Sequence, residues 1–423
     1  MNKVLYYYDR SCLKRNEYLI NKLQSMKVFA LLVLCSMFTT LNQVTAQDKS
    51  SGEIPILAWH GIPANETFIS RYEELKESGI SYNFTSFNDI KSMEMALEIA
   101  QQTGMKMLVS CPELKTDTKK TVQKFMNNPA VAGYFLRDEP TLKDFDELGD
   151  WVKQIRAVDD RHFCYINLFP NYADSEQLGT KDYKDYVHQF IQKVPVQQLS
   201  FDNYPIKTTS LERKWYQNLE IFSEEARQAN KPFWAFALSV NFTTHHVPTV
   251  AELRLQVYSD LAYGAQGIQY FTYSTPPGQE LDFNNAPIGL DGKRTEVYDR
   301  IRLINKEIKD LSWVFLGAKV VSVAHTGDTI PLGTKRLVKL PEAVKVLETT
   351  GTGALVSEME NGKNSFLVIV NRDFKNPMKL TLYCDPFVKK VLKDGSSVPA
   401  NDYKNTMEID AGDVAIYTWP TAK

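Results

Sequence analysis

Cysteine is scarce in this chain: 423 residues carry five, and only Cys111, Cys164 and Cys384 lie beyond residue 46. An odd, sparse set does not build a disulfide framework. Cys111 and Cys164 sit in apolar stretches and read as buried, inert thiols. Histidine is as rare, with six in all and none at ligand spacing; the adjacent His245 and His246 diverge on a helix or a strand. No metal is therefore expected. The Gly-x-Gly-x-x-Gly turn of dinucleotide sites is also missing, since the first apolar run leads into Trp59-His60-Gly61-Ile62-Pro63. Gly-rich turns with Lys or Arg, which a phosphate would want, are lacking too, so no cofactor is expected. An excess of either charge is absent. Lys and Arg number 49 against 51 Asp and Glu, and beyond residue 46 the balance is 43 to 49. A mildly acidic body lacks the basic footprint that nucleic acid demands.

A long hydrophobic run is likewise missing. The longest, Val28 to Phe38, falls short of the ~20 apolar residues that span a bilayer. It follows Met26-Lys27 and leads to Val44-Thr45-Ala46, a charged start, an apolar core and a small-residue cleavage site. That pattern predicts a signal peptide over 26–46, an N-terminal extension over 1–25 and an exported, periplasmic or secreted product with no transmembrane segment after cleavage. Cys35 would allow a lipoprotein instead, but Leu34 is bulky where a small residue is wanted.

Short apolar runs and helical periods alternate from residue 54. Strands are predicted at Ile54–Trp59, Tyr82–Phe87, Met105–Ser110, Val131–Leu136, Phe163–Leu168, Leu199–Asp202, Phe233–Leu238 and Ile268–Tyr273. Between them Ile69, Tyr72 and Leu75 share one helical face, as do Phe145, Leu148, Val152 and Ile155. Gly79 and Gly104 stop two helices before the next strand. Strand–helix units at this spacing match a (β/α)₈ barrel of ~250 residues, an α/β fold expected over 47–316. From 317 to 423 the helical period is lost, and turn-separated runs at Ala318–Val323, Val344–Leu347, Phe366–Val370, Met378–Leu382 and Val414–Trp419 predict a small all-β sandwich.

Barrel enzymes place their chemistry at the C-terminal ends of the strands. This chain delivers Trp59 and His60 there from strand one, Asn83 from strand two and Glu113 after strand three. Strand four ends in Arg137, Asp138, Glu139 and Pro140; strand five brings Asn167; strand six Asp202, Asn203 and Tyr204. Strands seven and eight add Trp234, Asn241, Tyr270 and Tyr273. Amide, carboxylate, indole and phenol groups together suit sugars, whose hydroxyls need paired donors and acceptors and whose C–H faces stack on aromatics. Alternation puts Arg137 and Glu139 on one side, where Arg137 would oppose protonation of Glu139 unless it pairs with Glu113 or Asp138.

A barrel strand ending in Asp138-Glu139-Pro140, an exported (β/α)₈ domain and a C-terminal sandwich together resemble the glycoside hydrolases of the large (β/α)₈ superfamily, nearest its β-galactosidase and cellulase-like families. The resemblance implies an oligo- or polysaccharide substrate and a general acid at Glu139, with Asp138 where that superfamily commonly has Asn. The superfamily's nucleophile, a Glu at the end of strand seven, has no counterpart in Pro232 to Asn241. Three arrangements would answer that gap. Asp202 supplies the second carboxylate; or Asp138-Glu139 acts as the dyad of enzymes whose N-acetylhexosamine substrate provides its own nucleophile; or the barrel binds glycan without cleaving it.

Overall fold

A computed structural model describes residues 52–208, 210–278, 281–400 and 405–421. The leader expected at 26–46 and the extension before it lie outside these residues. The eight expected barrel strands form at β1 (Ile56–Trp59), β2 (Tyr82–Asn83), β3 (Lys106–Val109), β4 (Val131–Asp138), β5 (Phe163–Asn167), β6 (Leu199–Phe201), β7 (Phe233–Leu238) and β8 (Gly267–Phe271). They pair in parallel in the order β5-β4-β3-β2-β1-β8-β7-β6. The ring is nearly closed, its last seam carrying one bridge, Leu168 to Phe201, with the Leu168 N–H on the Ser200 carbonyl at 2.9 Å.

Every second residue of each strand faces the barrel axis. The interior is an aromatic plug in which Trp234, Tyr82 and Phe163 meet low in the barrel, Leu57, Leu108 and Tyr165 fill the middle, and Trp59, Phe84 and Phe135 lie towards the C-terminal end. Gly267 makes room for the Trp234 indole, which a Cβ there would meet at 2.6 Å. The opposite strand faces pack against the helices, among them 145–156, which buries Phe145, Leu148, Val152 and Ile155 as its period predicts. In 69–77 Tyr72 and Leu75 are buried, but Ile69 at the first turn is exposed.

The short helix Ser312–Phe315 ends the barrel, and β9 (Lys319–His325) begins the all-β part. With β10 (Val344–Thr349), β11 (Ala354–Asn361), β12 (Asn364–Asn371), β13 (Met378–Cys384), β14 (Lys389–Val391), β15 (Ser397–Pro399), β16 (Asn405–Ile409) and β17 (Val414–Pro420) it makes two antiparallel sheets. The order is β10-β13-β16 in one and β15-β14-β17-β12-β11-β9 in the other. The sheets meet through Val356, Leu367, Ile369, Leu380, Leu382 and Tyr417. The other face of the larger sheet, with Leu355, Met359, Phe366, Val368 and Ile416, joins the barrel's own core under helix 250–262. Each such side chain is worth roughly 1.5–3 kcal/mol of burial before entropy is counted, so this joint is part of the fold rather than a loose tether.

Candidate active site

Strand four does not end as simple alternation predicts. Its pairing with β5 shifts register between Phe135 and Arg137, a bulge that inserts Leu136. One step further Glu139 adopts φ 44°, a left-handed conformation that costs a non-glycine residue on the order of 1–3 kcal/mol. Neighbouring contacts hold it there. The Glu139 N–H donates to the Asn167 carbonyl at 2.9 Å, and the Tyr186 hydroxyl donates to the Pro140 carbonyl at 2.6 Å. The two irregularities separate what alternation would align. Arg137 is half exposed and its ion pair is with Asp144, at 3.9 Å, rather than with Glu113 or Asp138.

The carboxylates of β4 and β6 meet over Asn167. Its Nδ2 donates to Asp138 Oδ1 at 3.1 Å and to Asp202 Oδ1 at 2.9 Å. Asp202 is buried, Glu139 half-buried, and Asp138 exposed on one side though surrounded by protein on its others. Burial, and then the charge of Asp138, push Glu139 up to about 7. Burial and the charges of Glu139 and Asp138 raise Asp202 well above the carboxylate range, against hydrogen bonds from Asn167 and Tyr204. Asp138 is raised by burial, with Asn167 and Arg137 opposing. Each of these carboxyls disfavours ionisation of its neighbours.

Aromatic rings cluster towards the same end of the barrel. Trp59 lies against Phe84, Phe135 and Phe236, at 4.4, 5.6 and 5.3 Å between centroids. The Tyr204 ring stacks on Phe271 at 5.0 Å, and Phe242 packs on both. Tyr172, which the sequence does not single out, is half exposed, and its hydroxyl is raised by burial and by the charges of Asp202, Glu139 and Glu212.

Several expected mouth residues face elsewhere. Tyr270 points outwards, its hydroxyl on Asn305 Oδ1 at 2.8 Å. Tyr273 is buried near Tyr298, with the charges of Glu74 and Arg71 about it. Asn83, one step off the inward parity of Tyr82 and Phe84, accepts the Ile62 N–H at 2.9 Å and shapes the turn after β1. Trp234 lies low in the barrel. Asn203 turns to Asn218 at 3.2 Å. Glu113 begins the short helix 113–116 beside Cys111, whose thiol burial and Glu113 push up to about 11. Asn241 joins two loops through backbone bonds with Asn284 at 3.0 Å. His60 is left-handed at φ 47° and kept neutral by burial, and no contact among the described residues ties it to the carboxylates. Asp138, Glu139, Asn167, Asp202 and Tyr204 are the expected residues brought together, while Trp59 packs among Phe84, Phe135 and Phe236 in the barrel's aromatic core. Among the described residues no three His, Cys, Asp or Glu converge as metal ligands, and no helix is long and apolar enough to cross a membrane.

No family model and no curated protein matches the sequence. The fold does have solved relatives. A β-galactosidase from Bacillus circulans sp. alkalophilus is similar at TM-score 0.56 and 10% identity, over 86% of this chain and 99% of that one. A family 5 glycoside hydrolase from Bacteroides vulgatus is similar at TM-score 0.54 and 10% identity, over 86% and 89%. The chain spans 60% of a β-galactosidase from the psychrophilic Marinomonas ef1, at TM-score 0.45 and 12% identity. The likeness is one of fold: in this chain, a nearly closed barrel of eight parallel strands followed by two antiparallel sheets.

Proposed function

We propose that this chain is a glycoside hydrolase acting on an oligo- or polysaccharide, with Glu139 as general acid and Asp202 as the second carboxylate. The observation that carries the reading is Glu139 itself. It is a carboxyl at the end of the fourth barrel strand, raised to about 7 by burial and by Asp138. A general acid must keep its proton near neutral pH and yet be able to give it up. Its proton passes to the glycosidic oxygen as the bond to the anomeric carbon breaks. Asp202 acts in its ionised form, which the Asn167 hydrogen bond favours against burial and the charges of Glu139 and Asp138, and either takes the proton of an attacking water or attacks the carbon itself; the product anomer separates inversion from retention. The glycosidase activity named for similar folds supports the class.

One observation favours a second reading. Asp138 is exposed directly beside Glu139, where a dyad acting on N-acetylhexosamines would need it to orient the substrate's acetamide. Against it, the Tyr204 hydroxyl that would hold the acetamide is engaged with Asp202. Glycosyl azide formed by Asp202→Ala in azide supports the first reading. Tight inhibition by a thiazoline, with turnover of N-acetylated substrates alone, supports the second.

A further inference from the structure

We infer that Asn167 is the positioning residue of the carboxylate site, an amide that ties Asp138 to Asp202 and is locked in orientation by a polar chain inside the barrel. Its catalytic meaning rests on the hydrolase reading above; its geometry does not. Asn167 touches all three acidic residues, the side chains of Asp138 and Asp202 through Nδ2 and the backbone N–H of Glu139 through its carbonyl. Its Oδ1 accepts the Ser200 hydroxyl at 2.9 Å. Ser200 Oγ accepts Gln269 Nε2 at 2.9 Å, and the Tyr165 hydroxyl donates to Gln269 Oε1 while lying 2.9 Å from Ser200.

The direction of these hydrogen bonds follows from the inventory of protons. A primary amide donates only from nitrogen and accepts only at oxygen. Tyr165 gives its one proton to Gln269, Gln269 donates to Ser200, and the single Ser200 proton is left for Asn167 Oδ1. Both Nδ2 hydrogens then face carboxylates. A flipped Asn167 would aim its oxygen at the oxygens of two carboxyl groups and leave Ser200 without an acceptor. Both ends of the network select the same state. Tyr165, Asn167, Ser200 and Gln269 are all buried, where polar groups are costly unless fully paired, and the carboxylates are the partners that complete the set. The side-chain bonds from Asn167 to Ser200 and Asp202 also cross the β5–β6 seam, which the backbone closes with one bridge. The seam and the site are held by the same residue.

Hydrogen bonds to an ionised carboxylate favour its charged form. The titratable and charged groups about the pair are Glu139, Arg137, Tyr165, Tyr172, Tyr183, Tyr186 and Tyr204. Ser200→Ala removes the proton that orients Asn167 without touching a carboxylate. The decisive measurement is a carbon-13 NMR titration of side-chain carboxyls in the ligand-free chain, for wild type, Ser200→Ala, Ser200→Thr and Asn167→Ala, with thermal melting alongside. The midpoints of Asp138 and Asp202 should rise by about one pH unit in Asn167→Ala, the worth of one charge-assisted hydrogen bond. They should rise in the same direction in Ser200→Ala and return in Ser200→Thr, which restores a hydroxyl. Lowered melting with unmoved midpoints would overturn the inference and leave Asn167 a seam clasp alone. Should Ser200→Ala not fold, Tyr165→Phe cuts the network one link further back and must shift the midpoints the same way. No substrate enters this titration, so a chain that cleaves no glycan would refute the hydrolase reading while the midpoints still decide the role of Asn167.

Discussion

At the scale of single residues, function turns on which carboxyl keeps a proton. As the proposed acid Glu139 acts only when protonated, and its pKa is raised to about 7, so kcat/KM should fall as pH rises through that value. Asp138 contributes to the raising through its charge. Asp138→Asn should therefore lower the Glu139 pKa and move the alkaline limb of the pH–rate profile to lower pH; an unmoved limb would show that another group sets it. Tyr270 gives the contrasting case. Its hydroxyl pairs with Asn305 away from the mouth, so Tyr270→Phe should cost about 1 kcal/mol of stability and leave kcat and KM unchanged, read by urea melts and kinetics together. Glu139 stands out in the sequence because an ionised triplet follows an apolar strand, and Asp202 because it follows Leu199–Phe201 and precedes Tyr204-Pro205. Tyr165, Ser200 and Gln269 are hidden, because they look like interruptions of apolar runs. Their parity with Asn167, Asp202 and Phe271, two residues on in each strand, is the signal that shows them sharing the barrel axis.

At the scale of elements, the strands are readable because parallel strands buried on both faces are short apolar runs. What escapes are departures from regular period. The bulge at Leu136 and the left-handed Glu139 reverse the side on which Arg137 falls, and no propensity announces either. The same limit misplaces Asn83 and Tyr270, since a strand end opens on the mouth only through its inward-facing positions. In the all-β tail β11 escapes because Glu358 and Glu360 break its apolar run, although Asn361-Gly362 marks the hairpin into β12. Gly362 has φ 59° there. The packing layers make their own forecast. Trp234 lies low in the barrel, 4% exposed; Trp234→Ala should cost ~3–5 kcal/mol, measured by denaturant unfolding, while the carboxyl titrations at the other end stay in place.

At the scale of the whole molecule, barrel and β domain share a core, and a polar cluster stitches the joint. Arg254 and Lys393 meet Glu307 and Asp413, and Tyr258 donates to Glu307 at 2.7 Å. His325 of β9 is buried against the Tyr263 hydroxyl at 3.0 Å, and burial with the charge of Arg372 depresses it to about 3. A histidine held neutral in the fold but titrating normally when unfolded stabilises above its ordinary pKa, and that contribution is lost as pH falls from about 6.5 towards 3. His325→Gln should flatten the dependence of melting temperature on pH across that window. A chain truncated after residue 316 would expose the face that Leu355, Phe366 and Val368 now cover. The central claim, glycoside hydrolysis with Glu139 as the acid, is tested most directly by incubating wild type and Glu139→Gln with a panel of oligosaccharides and detecting the sugars released. Wild type should cleave at least one, and the variant should bind the same glycan nearly as well but turn it over ~10²–10⁴-fold more slowly. Wild-type binding without any product, or a variant that keeps full activity, would contradict it.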